Sequence, residues 1–275
     1  MRCRQSPLDV IIACCPLSKC QEFSLHIGKS ARFFVLSLAA MLCIAAPALA
    51  LENVVLQLKW EHEYQFAGYY AAKWQGFYER EGLDVEIRSA ATPEGKLLDP
   101  IGEVLAGRAQ FGVGSLDILV GRGKGEDLIA LAPIFQRSPL AVHALSGTVL
   151  KKPADLLKLR VATFESEYGI VEVRAMLRAS KLEPAALNIV HEPPTVDSLV
   201  SGKADAIVTY GVSAQARARE LGVSLHSLEP ADFGVQTYGD TLFTSGDLVH
   251  QRPDLVERFV RASLEGWRYA LDTKQ

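Results

Sequence analysis

Beyond residue 50 the chain has no cysteine: all five (Cys3, Cys14, Cys15, Cys20 and Cys43) fall in the first fifty of 275 positions. Residues 51–275 can therefore hold no disulfide, no thiolate metal site and no cysteine nucleophile. Histidine is sparse too, and His62, His143, His191, His226 and His250 include no pair at metal-ligand spacing. Neither a Gly-x-x-x-x-Gly-Lys-Ser/Thr phosphate loop nor a Gly-x-Ser-x-Gly elbow is present. The glycine-rich Gly121-Arg-Gly-Lys-Gly125 follows a helical pattern and reads as a solvated turn. Surplus positive charge is also missing, the formal net charge being −3, so no basic surface for nucleic acid is expected. These absences point away from catalysis, and no cofactor or metal is expected.

What is present begins with an export signal. Lys29 and Arg32 lead into the apolar run Phe33–Ala46, followed by Pro47-Ala48-Leu49-Ala50. This reads as a signal peptide over residues 1–50, cleaved near Ala50, which places the mature protein in the periplasm. About 14 apolar residues are short for a bilayer span of roughly 20. The leader holds five of the 29 basic and two of the 32 acidic residues, leaving 24 against 30 beyond it, a formal charge of −6.

Beyond the leader, short apolar runs alternate with helical patterns. Val54–Leu58, Leu83–Ile87, Phe111–Val113, Leu128–Ala132 and Ala141–Leu145 read as strands. Between them, 65–75, 97–106 and 115–120 read as helices. A second series gives strands at 160–163, 189–191 and 206–209, with helices at 170–179 and 196–200. Such βαβ alternation predicts an α/β fold with mostly parallel sheets.

One internal echo is more informative. Val104-Leu-Ala-Gly-Arg-Ala-Gln-Phe-Gly-Val113 resembles Leu199-Val-Ser-Gly-Lys-Ala-Asp-Ala-Ile-Val208. Each is a helix end, a glycine suited to a left-handed cap, a basic residue and a buried strand. Two similar lobes are expected, the first from 51–146 plus 238–275 and the second from 147–237. The closing helix starts near Pro253 and still reads well at Gln275, so further C-terminal elements are expected.

Binding residues are sought where strands end and helices begin, since ligands of open α/β sheets sit beyond the carboxyl ends of strands. Trp60, His62, Gln65 and Phe66 lie between the first strand and first helix, where Trp60 would stack a flat ring and His62 or Gln65 bond its rim. Alternatively, Trp60 and Phe66 cap the core. Ser115 and Asp117 follow the third strand, with Ser115 equally a simple helix cap. Phe164, Glu165, Tyr168 and Gly169 occupy the matching loop of the second lobe, and Thr209 and Tyr210 end its last clear strand. Ser138, Tyr238 and Asp240 stand near the expected lobe crossings.

Five stretches resemble the NMT1/THI5-like family of periplasmic thiamine-precursor binding proteins and thiamine pyrimidine synthases. They are Leu56-Gln-Leu-Lys-Trp60, Gln65-Phe-Ala-Gly-Tyr-Tyr-Ala-Ala72, Gly76-Phe-Tyr-Glu-Arg-Glu-Gly-Leu-Asp-Val85, Lys152-Pro-Ala-Asp-Leu156 and Tyr238-Gly-Asp-Thr-Leu-Phe-Thr-Ser245. The resemblance implies a type II periplasmic-binding fold with a ligand cleft between two lobes. It also implies a small-molecule ligand, a thiamine pyrimidine precursor or comparable planar heterocycle, and an ABC transporter permease as partner. The family's synthases carry a lysine and a histidine where this chain has Gly114 and Ile118, and they need later cysteines. That departure disfavours the synthase activity. The sensory head of a membrane signalling protein is a further alternative.

Overall fold

A computed structural model describes residues 50–92, 97–163 and 170–272. The leader and the predicted site residues Phe164, Glu165, Tyr168 and Gly169 lie outside the described residues.

Among the described residues, ten strands form two five-stranded sheets. The first takes β1 (Glu52–Gln57), β2 (Leu83–Arg88), β3 (Phe111–Gly114), β4 (Leu128–Pro133) and β10 (Thr241–Ser245), in the order β2-β1-β3-β10-β4. The second takes β5 (Leu140–Leu145), β6 (Arg160–Ala162), β7 (Asn188–Val190), β8 (Ala206–Tyr210) and β9 (Leu225–Leu228), in the order β7-β6-β8-β5-β9. The helices are α1 (Ala67–Trp74), α2 (Phe77–Arg80), α3 (Pro100–Leu105), α4 (Leu116–Gly123), α5 (Val171–Ala179), α6 (Val196–Val200), α7 (Gly211–Glu220), α8 (Gly246–Gln251) and α9 (Pro253–Asp272).

The two sheets are built to one plan. In each, a central strand pairs parallel with two neighbours (β1 with β2 and β3, β6 with β7 and β8). In each, one strand arriving from the other sheet's chain segment inserts antiparallel (β10 beside β3 and β4, β5 beside β8 and β9). This is the two-lobed type II arrangement. The echoed segments are its equivalent parts, α3 into β3 and α6 into β8. Gly107 and Gly202 both adopt φ +70, where a side chain would be strained. Their N–H groups donate to Val104 and Leu199 carbonyls at 3.0 and 3.1 Å.

Sheet membership corrects one boundary. Strand β5, assigned from sequence to the first lobe, hydrogen-bonds to β8 and β9 in the second sheet. The chain therefore crosses after Pro133 and before Leu140, and it returns between Leu228 and Thr241. Inserted strands pair with segments distant in the chain, so local pattern does not reveal which sheet they join.

The two crossings are tied to each other. Ile134 N–H donates to the Asp240 carbonyl (2.9 Å), Gly239 N–H to Phe135 (2.9 Å) and Ser138 N–H to Thr237 (2.9 Å). This short antiparallel ribbon is the hinge between lobes. Each lobe keeps its own core, since each sheet must bury both faces. The first gathers Leu56, Leu58, Phe66, Tyr69, Phe111 and Phe259, with the Phe111 and Phe259 rings stacked at 3.8 Å. The second gathers Val142, Leu156, Val161, Val173, Met176 and Val208. Among the described residues, no helix is long and apolar enough to cross a membrane.

Candidate functional site

Strand order dictates which residues meet. Parallel strands β1, β3, β6 and β8 end on the edges that face the crossings, because Thr241 opens β10 opposite Gly114 and Leu140 opens β5 opposite Tyr210. The residues just past those strand ends are Lys59, Ser115, Asp117, Thr163 and Tyr210, with Ser138 and Asp240 on the crossings themselves.

Three of these form the centre of the site. Lys59 Nζ, from the first lobe, donates to Tyr210 Oη of the second at 2.9 Å. It also pairs with Asp240 Oδ1 at 3.2 Å, and Tyr210 Oη donates to that same oxygen at 2.8 Å. The ammonium lies 5.0 Å from the centre of the Tyr210 ring, a cation–π distance. Asp240 is only 1% exposed while the Lys59 side chain keeps 23%, so the carboxylate is the more deeply buried member of the pair. Burial alone lowers the Lys59 affinity for its proton; the neighbouring Tyr210, Asp240 and Asp117 outweigh it, and the net shift is upward. Burial pushes the Tyr210 hydroxyl upward as well, so it stays a neutral donor and acceptor.

A second carboxyl stands on the other lobe. Glu172, in the first turn of α5, accepts from Ser138 Oγ at 3.0 Å. Burial raises its affinity for a proton, opposed by Ser138, by Thr237 of the return crossing and by Lys59. Glu172 thus faces both hinge segments. Farther out, Ser213 Oγ of α7 donates to Glu63 Oε2 at 3.1 Å, a second link across the lobes.

The sequence-predicted residues divide. Tyr210 and Asp240 lie at the centre, and Asp117 stands near enough to Lys59 to bear on its charge. Asp117 also accepts from the backbone N–H of Ser115, and the Ser115 side chain makes no cap bond to α4. Trp60 is half-buried against the first-lobe core. His62 is exposed and its Nδ1 meets Tyr70 Oη of α1, with the rings edge-on at 6.0 Å. Gln65 and Thr209 are half-buried, and Tyr238 is exposed. Phe66 is wholly buried beside Leu56 and Tyr69 in the first core, because its position places it on the inward side of the turn entering α1.

Sequence reasoning missed Lys59, although it stands inside Leu56-Gln-Leu-Lys-Trp60, and it missed Glu172. The available signal for Lys59 was a lone charge directly after the buried run Leu56–Leu58, at the end of a central strand. A cavity of about 610 Å³ lies beside α7 and β5, lined by Ser138, Pro139, His143, Gly211, Gln215 and Glu229. It includes none of the three central residues. Among the described residues no cluster of His, Cys, Asp or Glu is arranged to hold a metal.

Known proteins share both sequence and architecture with this chain. It is 27% identical over 228 residues to the formylaminopyrimidine-binding protein of Halalkalibacterium halodurans, covering 81% of this chain and 68% of that protein. It is 28% identical over 232 residues to the riboflavin-binding protein RibY of Chloroflexus aurantiacus, covering 78% and 62%. The chain thus spans about two thirds of the length of these curated relatives. The periplasmic aliphatic sulphonate binding protein SsuA of Escherichia coli superposes with a TM-score of 0.59 at 15% identity, covering 78% of this chain and 72% of that one, a likeness of fold. The model of the family described as NMT1/THI5 like matches residues 63–275, and the chain belongs to that family.

Proposed function

We propose that the protein is an extracytoplasmic solute-binding protein that captures a small planar nitrogen heterocycle, of the thiamine pyrimidine precursor class, and delivers it to an ABC transporter permease. The observation that carries this reading is the contact of Lys59 with Tyr210 and Asp240, where the strand ends of one lobe meet those of the other. A ring entering there meets donors and acceptors from both lobes and the hinge, the arrangement by which hinged lobes close on a ligand. Both curated relatives are named for planar nitrogen heterocycles.

Bond-making chemistry has no support in these residues. At the synthase lysine position, a side chain on Gly114 would press within 2.9 Å of Ile118, and Ile118 itself is buried. Residues 51–275 also lack the cysteines that the synthase resemblance calls for.

Native mass spectrometry of the purified protein, followed by calorimetric titration with the aminopyrimidine alcohol of thiamine and with riboflavin, tests the proposal. A retained heterocycle, or saturable binding of either compound, supports it. Absence of both, in protein with a cooperative unfolding transition, overturns it.

A further inference from the structure

We propose that Lys59 sets the ligand's chemistry: it takes an uncharged or cationic ring that offers a hydrogen-bond acceptor, and it does not hold an anionic sulfonate or phosphate. This rests on the solute-binding reading above and names the substrate class of the same site.

An ammonium has three N–H donors and no acceptor. Among the described residues, Tyr210 Oη and Asp240 Oδ1 are the hydrogen-bond and ion-pair partners of Lys59. Tyr210 belongs to the opposite lobe and is half-buried, whereas Asp240 is buried and anchored in the hinge ribbon. The tie to Tyr210 is therefore the exchangeable one. A ring nitrogen or carbonyl oxygen that replaces the Tyr210 hydroxyl keeps the Lys59–Asp240 pair intact and leaves the Tyr210 ring available to stack.

Charge balance decides what kind of acceptor fits. Asp240 pairs directly with Lys59, Asp117 adds to the same field, and Glu172 faces it from the second lobe. Among the described residues, one cation faces the Asp240 and Asp117 carboxylates and the Glu172 carboxyl, which leaves no positive surplus for an anion. Arg137, the cation on the first crossing, is already paired with Glu229 at 2.9 Å and Asp232 at 3.3 Å. A buried anion without a matching cation is strongly disfavoured.

The test titrates the full chain and its Lys59→Met, Lys59→Arg and Asp240→Asn variants with three probes. These are the aminopyrimidine alcohol of thiamine, its carbocyclic counterpart with C–H in place of both ring nitrogens, and propanesulfonate. Wild type is expected to prefer the pyrimidine over the carbocycle by about tenfold or more, the worth of a charge-assisted hydrogen bond, and to bind propanesulfonate more weakly than either. Lys59→Met should abolish that preference, and Lys59→Arg should retain part of it. Asp240→Asn should gain affinity for propanesulfonate. A merely structural lysine would weaken both rings alike, and that result overturns the inference, as does wild type preferring the sulfonate. If Lys59→Met does not fold, the wild-type probe ratios still decide. Pyrimidine binding unaltered in Lys59→Met overturns the role of Lys59 alone, whereas wild type binding neither ring overturns the solute-binding reading and the inference with it.

Discussion

Gly266 of α9 faces the backbone carbonyl of Gly68 in α1 so closely that a Cβ at 266 would fall on it and on Ala72. The reciprocal position is as tight, since a Cβ at Gly68 would strike the Trp267 ring. The two helices cross at backbone contact, and this seats the closing helix on the lobe that carries Lys59. Gly266→Ala has no flexible side chain to displace, so it should destabilise the protein by about 1–3 kcal/mol, the usual range for overpacking. Urea unfolding measures it; a midpoint equal to wild type would refute the contact.

The same helix carries Ser263, whose Oγ hydrogen-bonds Tyr78 Oη at 2.9 Å in the first core. Both groups are buried, and burial drives the Tyr78 hydroxyl far above its ordinary proton affinity, so it stays neutral. Tyr78→Phe leaves Ser263 without its partner and should cost about 1–3 kcal/mol. The double change Tyr78→Phe with Ser263→Ala should recover part of that loss, because neither orphan then remains. A double variant no more stable than Tyr78→Phe alone would contradict this.

Much of this architecture is legible in the sequence, and the exceptions have physical causes. The run at Phe111–Val113 announces β3 because a central strand is buried on both faces, and Val54–Leu58 announces β1 by its β-branched, mostly buried residues. The helix-to-strand echo exposes the repeated plan because glycine is needed at a left-handed cap. By contrast, α7 is a polar helix with only Ala214 and Ala218 buried, so it carries no strong apolar period, and β9 has only Leu228 buried. At the site, Tyr210 and Asp240 stand out at strand ends. Lys59 does not, since a lone lysine announces nothing until the opposite lobe supplies Tyr210 151 positions later.

A pH effect follows from His143. Its ring is buried in β5, with Nδ1 at 2.7 Å from Ser227 Oγ, while Nε2 has no hydrogen-bond partner among the described residues. Burial pushes the imidazole from its ordinary 6.5 down to about 4, opposed by the Thr209 backbone. The folded state thus holds His143 neutral where the unfolded chain takes up a proton. This contribution is fully present above pH 6.5 and is lost as the pH falls through about 4. The loss amounts to roughly 3 kcal/mol at the acid end. Comparing stability-against-pH curves of wild type and His143→Gln isolates it. The wild-type curve should fall more steeply across that window, and parallel curves would refute the assignment.

Tyr210 Oη both accepts from Lys59 and donates to Asp240, so one hydroxyl links the first lobe, the second lobe and the hinge. Tyr210→Phe keeps the ring and removes that link. The Lys59–Asp240 pair survives at 3.2 Å, so the cores are untouched and the stability loss should stay within about 1–3 kcal/mol. The lobes, however, lose their half-buried hydrogen bond and retain the Lys59 contact with the ring and the exposed Ser213–Glu63 bond, and exposed polar contacts contribute little. Small-angle scattering without added ligand should show a larger radius of gyration for Tyr210→Phe than for wild type. Ser213→Ala, cutting the exposed bond instead, should leave the radius unchanged. If the two variants scatter alike, the Lys59–Tyr210 bond does not govern the approach of the lobes.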